Sequence, residues 1–200
     1  MPVDPLYALL KSRFGFDAFR PHQEDIIRHV LDGGDALVIM PTGGGKSICY
    51  QLPALMREGF ALVISPLISL MNDQVRSLKA NGIAAGALHS GTTTAEQKQI
   101  GQALEKGELK ILYVSPERAL TQKFLDFIIP LPVSLIAIDE AHCVSIWGND
   151  FRPEYAQLSG LTQYFPKAPV LALTATADKA TQEDISTQLK LKAPRVFLSS

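Results

Sequence analysis

Seven short apolar runs recur along the 200-residue chain, and between them lie longer stretches whose apolar residues fall at helical spacing. The runs are Ala36–Met40, Ala61–Ser65, Ala84–Leu88, Lys110–Val114, Leu135–Asp139, Val170–Thr174 and Val196–Leu198. Several are apolar nearly throughout rather than alternating, as a strand covered on both faces must be. The intervening stretches at 21–32, 46–57, 67–80, 94–106, 117–127, 153–164 and 178–189 predict helices. Strand and helix in strict succession imply an α/β fold, a mostly parallel sheet with helices on both faces, formed by residues 1–200 as a single domain. Ligands of such sheets bind beyond the carboxyl ends of the strands.

Two motifs fall at such ends. Met40-Pro41-Thr42-Gly43-Gly44-Gly45-Lys46-Ser47 follows the first run. Three glycines let the backbone turn tightly and aim the amides of Thr42, Gly43, Gly44 and Gly45 at one point, at the N-terminus of the helix that follows. Lys46 adds a point charge for the β- and γ-phosphates, and the Ser47 hydroxyl can ligate Mg²⁺. The second motif, Asp139-Glu140-Ala141-His142, ends the run Leu135–Asp139. Asp139 can hold the metal and Glu140 can orient a water, with Lys46 the third catalytic candidate. Together the motifs predict nucleoside triphosphate hydrolysis. The full phosphate-loop pattern has glycine where this chain has Met40. A glycine-rich turn alone is common, but the bland reading of both motifs needs two independent coincidences.

Composition narrows the classes. Apolar residues make up 46% and charged residues 20%, ordinary for a globular domain. The formal charge of −1 argues against nonspecific coating of a polyanion, so any nucleic acid must be held in local grooves. Cys49 and Cys143 form no Cys-x-x-Cys pair and read as buried small apolar residues. Four scattered histidines show no metal-ligand spacing. No signal peptide or long apolar span is visible, which predicts a cytoplasmic protein, nucleoid-associated if bacterial, with no membrane partner.

With the motifs placed, the chain resembles the first RecA-like motor domain of the RecQ family of DNA helicases, a P-loop NTPase fold of helicase superfamily 2. The match runs from about Leu6 to the end and rests on six segments. They are Phe14-Gly15-Phe16 with Phe19-Arg20-Pro21-His22-Gln23, the phosphate loop, Ser65 through Val75, Ser115-Pro116-Glu117-Arg118, the Asp-Glu-Ala-His box, and Leu173-Thr174-Ala175-Thr176-Ala177. The box is shared by many helicases. The stretch Trp147-Gly148-Asn149-Asp150-Phe151-Arg152-Pro153-Glu154-Tyr155 is narrower and resembles the RecQ aromatic-rich loop. The family's proline-initiated phosphate loop also lacks the leading glycine, which accounts for Met40.

The resemblance implies ATP and Mg²⁺ as cofactors and the following roles. Phe16, Arg20 and Gln23 resemble the adenine-binding motif, in which ring and guanidinium sandwich a purine and the amide pairs with its edge. The alternative is an amphipathic helix entry, with Phe19 in the core. Ser65 and Ser69 belong to a segment that grips phosphates of single-stranded DNA, while Leu67, Ile68, Leu70 and Met71 are expected mostly in the core. Trp147, Phe151 and Arg152 offer an aromatic face and a cation to an unpaired base; an ordinary core tryptophan is the alternative. His142 links the nucleotide site to the next motif or is a structural histidine. Thr174 and Thr176 bridge to the acidic box, or one of them caps the following helix.

Two departures stand out. The family loop usually reads Gln-Trp-Gly-His-Asp-Phe, whereas this chain has Ile146 and Asn149 at the first and fourth positions. Neither side chain replaces what it displaces, so DNA stimulation is expected to be weaker than in a typical relative. The second motor domain, with its arginine finger, and the family's zinc-binding and winged-helix modules are not within these 200 residues. The expectation is therefore an excised motor half of an ATP-dependent 3′-to-5′ helicase acting in DNA repair and recombination. Alone it should bind nucleotide but hydrolyse and unwind poorly. Its implied partners are single-stranded and partly duplex DNA, the second RecA-like domain and a single-strand-binding protein. The rivals are an RNA-remodelling helicase domain and a noncatalytic nucleotide-dependent binding module.

Overall fold

The computed structural model describes residues 4–43 and 45–199. Among them, seven strands form one all-parallel sheet: β1 Ala36–Ile39, β2 Phe60–Ile64, β3 Ala85–Leu88, β4 Ile111–Val114, β5 Val133–Ile138, β6 Val170–Thr174 and β7 Arg195–Leu198. Their order across the sheet is β3-β4-β2-β5-β6-β1-β7. Every expected run is a strand, with no end shifted by more than two residues.

The continuous apolar runs serve two cores at once. Side chains alternate across a strand, so Leu37 and Ile39 enter one core while Ala36, Val38 and Met40 enter the other. The second core is covered by α1 Pro5–Phe14, α2 Gln23–Leu31, α3 Ile48–Met56 and α4 Ile68–Ala80. The first is covered by α5 Thr94–Glu105, α6 Pro116–Ala119, α7 Gln122–Ile128, α8 Pro153–Ala156, α9 Leu158–Thr162 and α10 Lys179–Gln188. Helices therefore lie on both faces.

Three helix expectations need correction. The single helix at 117–127 is two, because Thr121 leaves helical geometry, donates to the Arg118 carbonyl at 2.8 Å and caps α7 by accepting from Phe124 N at 3.3 Å. The single helix at 153–164 is also two. Bonds from Gln157 N to Glu154 O and from Gly160 N to Gln157 O, spaced by three residues, tighten the chain and break the axis. No helix was expected before residue 21, yet α1 is present, started by Asp4 and Pro5 and stopped by Gly15 at φ 76°. Its apolar residues Leu6, Tyr7, Leu9 and Leu10 share one side of the axis, but Arg13 falls among them and blurs the stripe.

The sheet order decides where chemistry can occur. The phosphate loop leaves β1 and the acidic box leaves β5, and only β6 stands between them. β6 itself ends at Thr174. Three motifs are thus brought to one edge of the sheet by topology alone.

Candidate nucleotide site and aromatic loop

A cavity of about 380 Å³ opens at that edge, lined by Thr42, Gly43, Gly45, Lys46 and Ser47 from the phosphate loop, Asp139 and Glu140 from the box, and Arg20 from the segment before α2. Gly44 lies outside the described residues. Gly45 has φ 84°, which favours glycine, and a Cβ there would sit 2.3 Å from Gln23 Nε2 and displace that amide. Arg20 donates to the Gly43 carbonyl and Gln23 Nε2 donates to the Gly45 carbonyl at 3.0 Å. Gln23 Oε1 also accepts from Arg20 N at 2.8 Å. In this structure Gln23 is buried and clamps the phosphate loop to the start of α2. Phe16 is 55% exposed, and neither it nor Gln23 lines the cavity. Phe19 is half-buried against Tyr7 and the core, as expected.

Asp139 is the electrostatic centre. Burial pushes its carboxyl above the ordinary range, against the pull of Glu140 N, which donates to its Oδ1 at 2.9 Å, and of the Lys46 charge. Tyr155, fully buried, donates its hydroxyl to the Asp139 carbonyl at 3.0 Å and fixes the backbone there. A desolvated carboxylate beside a serine hydroxyl offers only hard oxygen donors, which fits Mg²⁺ carrying its own waters and phosphate oxygens. Glu140 has φ 54° and ψ 41°, left-handed geometry that costs a non-glycine residue energy and recurs at functional sites.

From Glu140 a chain of contacts runs to β6. His142 Nδ1 lies 3.5 Å from Glu140 Oε2 and 2.8 Å from Thr174 Oγ1. Thr176 is exposed, and its place is the rim of a separate cleft beside Trp147. Neither threonine caps α10; Asp178 does, accepting from Thr181 N at 2.8 Å.

Ser65 is 2% exposed and lines the nucleotide cavity, with its Oγ buried and without a hydrogen-bond partner among the described residues. Ser65 therefore faces the nucleotide cavity and not the outer surface. Ser69 is exposed. Leu67 and Ile68 are exposed too, contrary to the expectation of core, because the first turn of α4 projects past the sheet; only Met71 is fully buried. In the wall of the cavity lies a polar cluster that sequence reasoning missed. The Tyr50 and Tyr113 hydroxyls are 2.8 Å apart, and Gln51 Nε2 reaches Tyr113 at 3.0 Å and Gln74 Oε1 at 2.8 Å. It joins the helix after the phosphate loop to α4. Gln74 sits within the quoted Ser65–Val75 segment, which was the only signal.

The aromatic loop projects from the same edge. Ile146 is 66% and Trp147 67% exposed, and Phe151 is exposed as well. The core reading of Trp147 is thereby excluded. Ser145, fully buried, donates to Asp184 on α10 at 2.6 Å and accepts from Trp147 N at 3.1 Å. A Cβ on Gly148 would lie 2.8 Å from the His142 carbonyl, so glycine is needed for the loop to fold back. Arg152 pairs with Asp150 at 3.3 Å, and its backbone N donates to the Cys143 carbonyl at 2.8 Å. Cys49 and Cys143 are buried, and burial pushes both thiols up to about 12. Among the described residues no helix is long and apolar enough to cross a membrane.

Residues 20–185 match the DEAD/DEAH box helicase family. The chain is 56% identical over 193 residues to the ATP-dependent DNA helicase RecQ of Haemophilus influenzae, covering 96% of this chain and 31% of that protein. It is 47% identical over 188 residues to the probable ATP-dependent DNA helicase RecS of Bacillus subtilis, covering 94% and 38%. The chain therefore spans about a third of the length of these relatives. In three dimensions it resembles the helicase MrfA bound to DNA and AMPPNP, with TM-score 0.77 at 22% identity over 100% of this chain and 30% of that one. The Pyrococcus furiosus Hef helicase domain gives TM-score 0.67 at 22% identity over 89% and 38%. At such identities the two structures speak for the fold alone.

Proposed function

The chain belongs to the DEAD/DEAH box helicase family, and from that premise we propose that it is the ATP-binding motor segment of a RecQ-type, ATP-dependent 3′-to-5′ DNA helicase. The observation that carries the reading is the single cavity faced by Lys46, Ser47, Asp139 and Glu140, with Glu140 tied through His142 to Thr174. Lys46 holds the β- and γ-phosphates, and the loop amides cradle them. Ser47 and Asp139 would hold Mg²⁺, which would supply positive charge to the phosphates when bound. Glu140 accepts a proton from the attacking water, and His142 and Thr174 keep its carboxylate in place. Arg20, which lines the cavity, is the adenine-side contact this geometry favours; Phe16 reaches the base only by turning inward. Gln23 supports the loop from behind.

Single-stranded and partly duplex DNA is the partner this reading assigns to Ser69, Trp147, Phe151 and Arg152. The polarity, a place in DNA repair or recombination, and association with a second RecA-like domain or a single-strand-binding protein rest on the likeness to RecQ proteins. The likeness to RecQ DNA helicases favours this over an RNA-remodelling reading, and competition between single-stranded DNA and RNA decides between them. A noncatalytic binding module would have no use for a strained Glu140.

The test separates binding from chemistry. Glu140→Gln should keep Mg-nucleotide affinity within about twofold while single-turnover hydrolysis falls by about 100-fold or more. Lys46→Ala should lose nucleotide affinity itself. A Glu140→Gln chain that hydrolyses at the parent rate would overturn the assignment.

A further inference from the structure

Beside the nucleotide cavity, three side chains of different chemistry converge where the acidic box runs into the aromatic loop. The donor atoms of His142, Cys143 and Asp150 all lie within 4.8 Å of one another. Cys143 Sγ is 3.8 Å from His142 Nε2 and 3.9 Å from Asp150 Oδ2. We propose that these three residues form a second cation site, selective for a thiophilic divalent ion of the zinc type and separate from the Mg²⁺ position at Ser47 and Asp139.

The backbone builds the cluster. The tight turn Ala141–Val144 sets His142 and Cys143 side by side. The loop then doubles back, held by the 2.8 Å bond from Arg152 N to the Cys143 carbonyl and by the close approach at Gly148, and carries Asp150 over the buried thiol. In a tetrahedral zinc site with bonds of about 2.0–2.3 Å, neighbouring donors stand about 3.3–3.6 Å apart. The two contacts made by Cys143 need only a small contraction to meet that geometry.

The histidine is already oriented as a ligand. Its Nδ1 is engaged by Thr174 Oγ1 at 2.8 Å, which leaves Nε2 turned toward the thiol. A ligating imidazole commonly has its other nitrogen held by such a partner, which fixes the ring and raises its basicity. His142 also borders a cleft of about 320 Å³ that includes Trp147, Gly148 and Asn149.

The ligand set decides the ion. A thiolate and an imidazole with one carboxylate favour zinc-like ions, whereas the all-oxygen nucleotide site favours magnesium. Two groups must yield. Arg152 must release Asp150, and the Cys143 thiol, pushed up to about 12 by burial and by the Asp150 charge, must give its proton to solvent. Binding therefore releases a proton and strengthens as pH rises. An ion here would tie together both ends of the segment carrying Trp147 and would share His142 with the Glu140–Thr174 chain. Occupancy should accordingly restrain the loop.

Cobalt(II) is a direct probe, because thiolate ligation gives a charge-transfer absorption and tetrahedral geometry gives intense visible bands. Titration of the 200-residue chain should show both at one equivalent, displaced by zinc and indifferent to excess Mg²⁺. The bands should vanish in Cys143→Ser and survive in Cys49→Ser, the chain's other cysteine. Asp150→Ala, on the exposed loop, should weaken cobalt binding about tenfold or more. Absence of thiolate bands in the parent chain overturns the site, as do bands that survive Cys143→Ser or undiminished affinity in Asp150→Ala.

Discussion

At the residue scale the determining feature is a carboxylate kept out of water. Burial raises the Asp139 carboxyl above its ordinary range, so its charged form opposes folding until a cation arrives. The sign follows directly: a raised folded-state pKa means that the cost is absent at low pH and grows as pH rises through that value. Asp139→Asn keeps the acceptor for Glu140 N and removes the charge. The nucleotide-free variant should therefore melt higher than the parent at neutral pH, with the gain shrinking in acid, while Mg-dependent hydrolysis is lost. Equal melting temperatures for the two at neutral pH would contradict this. The placements of the phosphate loop and box at one cavity were legible because each motif ends a strand. Ser65 and Gln23 were not. Their type suited an exposed contact, and only packing shows that one is sealed in the cavity wall and the other braces Gly45.

At the scale of elements, the aromatic loop depends on a bolt that no motif announced. Ser145 joins Trp147 N to Asp184 across 39 residues of sequence. Ser145→Ala leaves the Asp184 carboxylate without that donor, at a cost of about 1–3 kcal/mol, or roughly 2–12 °C in melting temperature for a chain of this size. Its second effect should be weaker single-stranded DNA binding with nucleotide affinity unchanged, measured by anisotropy. Full DNA affinity would show that the loop holds its shape without the bolt. Strand positions were legible because a run covered on both faces cannot hide. The broken helices were not, because the local bonds at Thr121 and Gln157 interrupt a periodic pattern without interrupting its apolar spacing.

At the scale of the whole molecule, alternation of elements foretold a parallel sheet but not its order. Placing β6 between β1 and β5 is a tertiary choice, and it is what lets Thr174 meet His142. A buried carboxylate, Asp35, pins that order by accepting from Val170 N at 2.9 Å and Lys192 N at 2.7 Å. In the proposed function, one end of this sheet couples nucleotide to DNA through Glu140, His142 and the aromatic loop. Trp147 is the chain's only tryptophan and is two-thirds exposed, so its fluorescence reports the loop alone. The decisive measurement is a Trp147 fluorescence titration with single-stranded DNA, with and without Mg²⁺ and a nonhydrolysable ATP analogue. The account predicts quenching by DNA and an affinity that changes at least about fivefold with nucleotide, as expected of coupled sites. Identical titrations in the two conditions, or DNA binding that leaves the tryptophan unaltered, would contradict it.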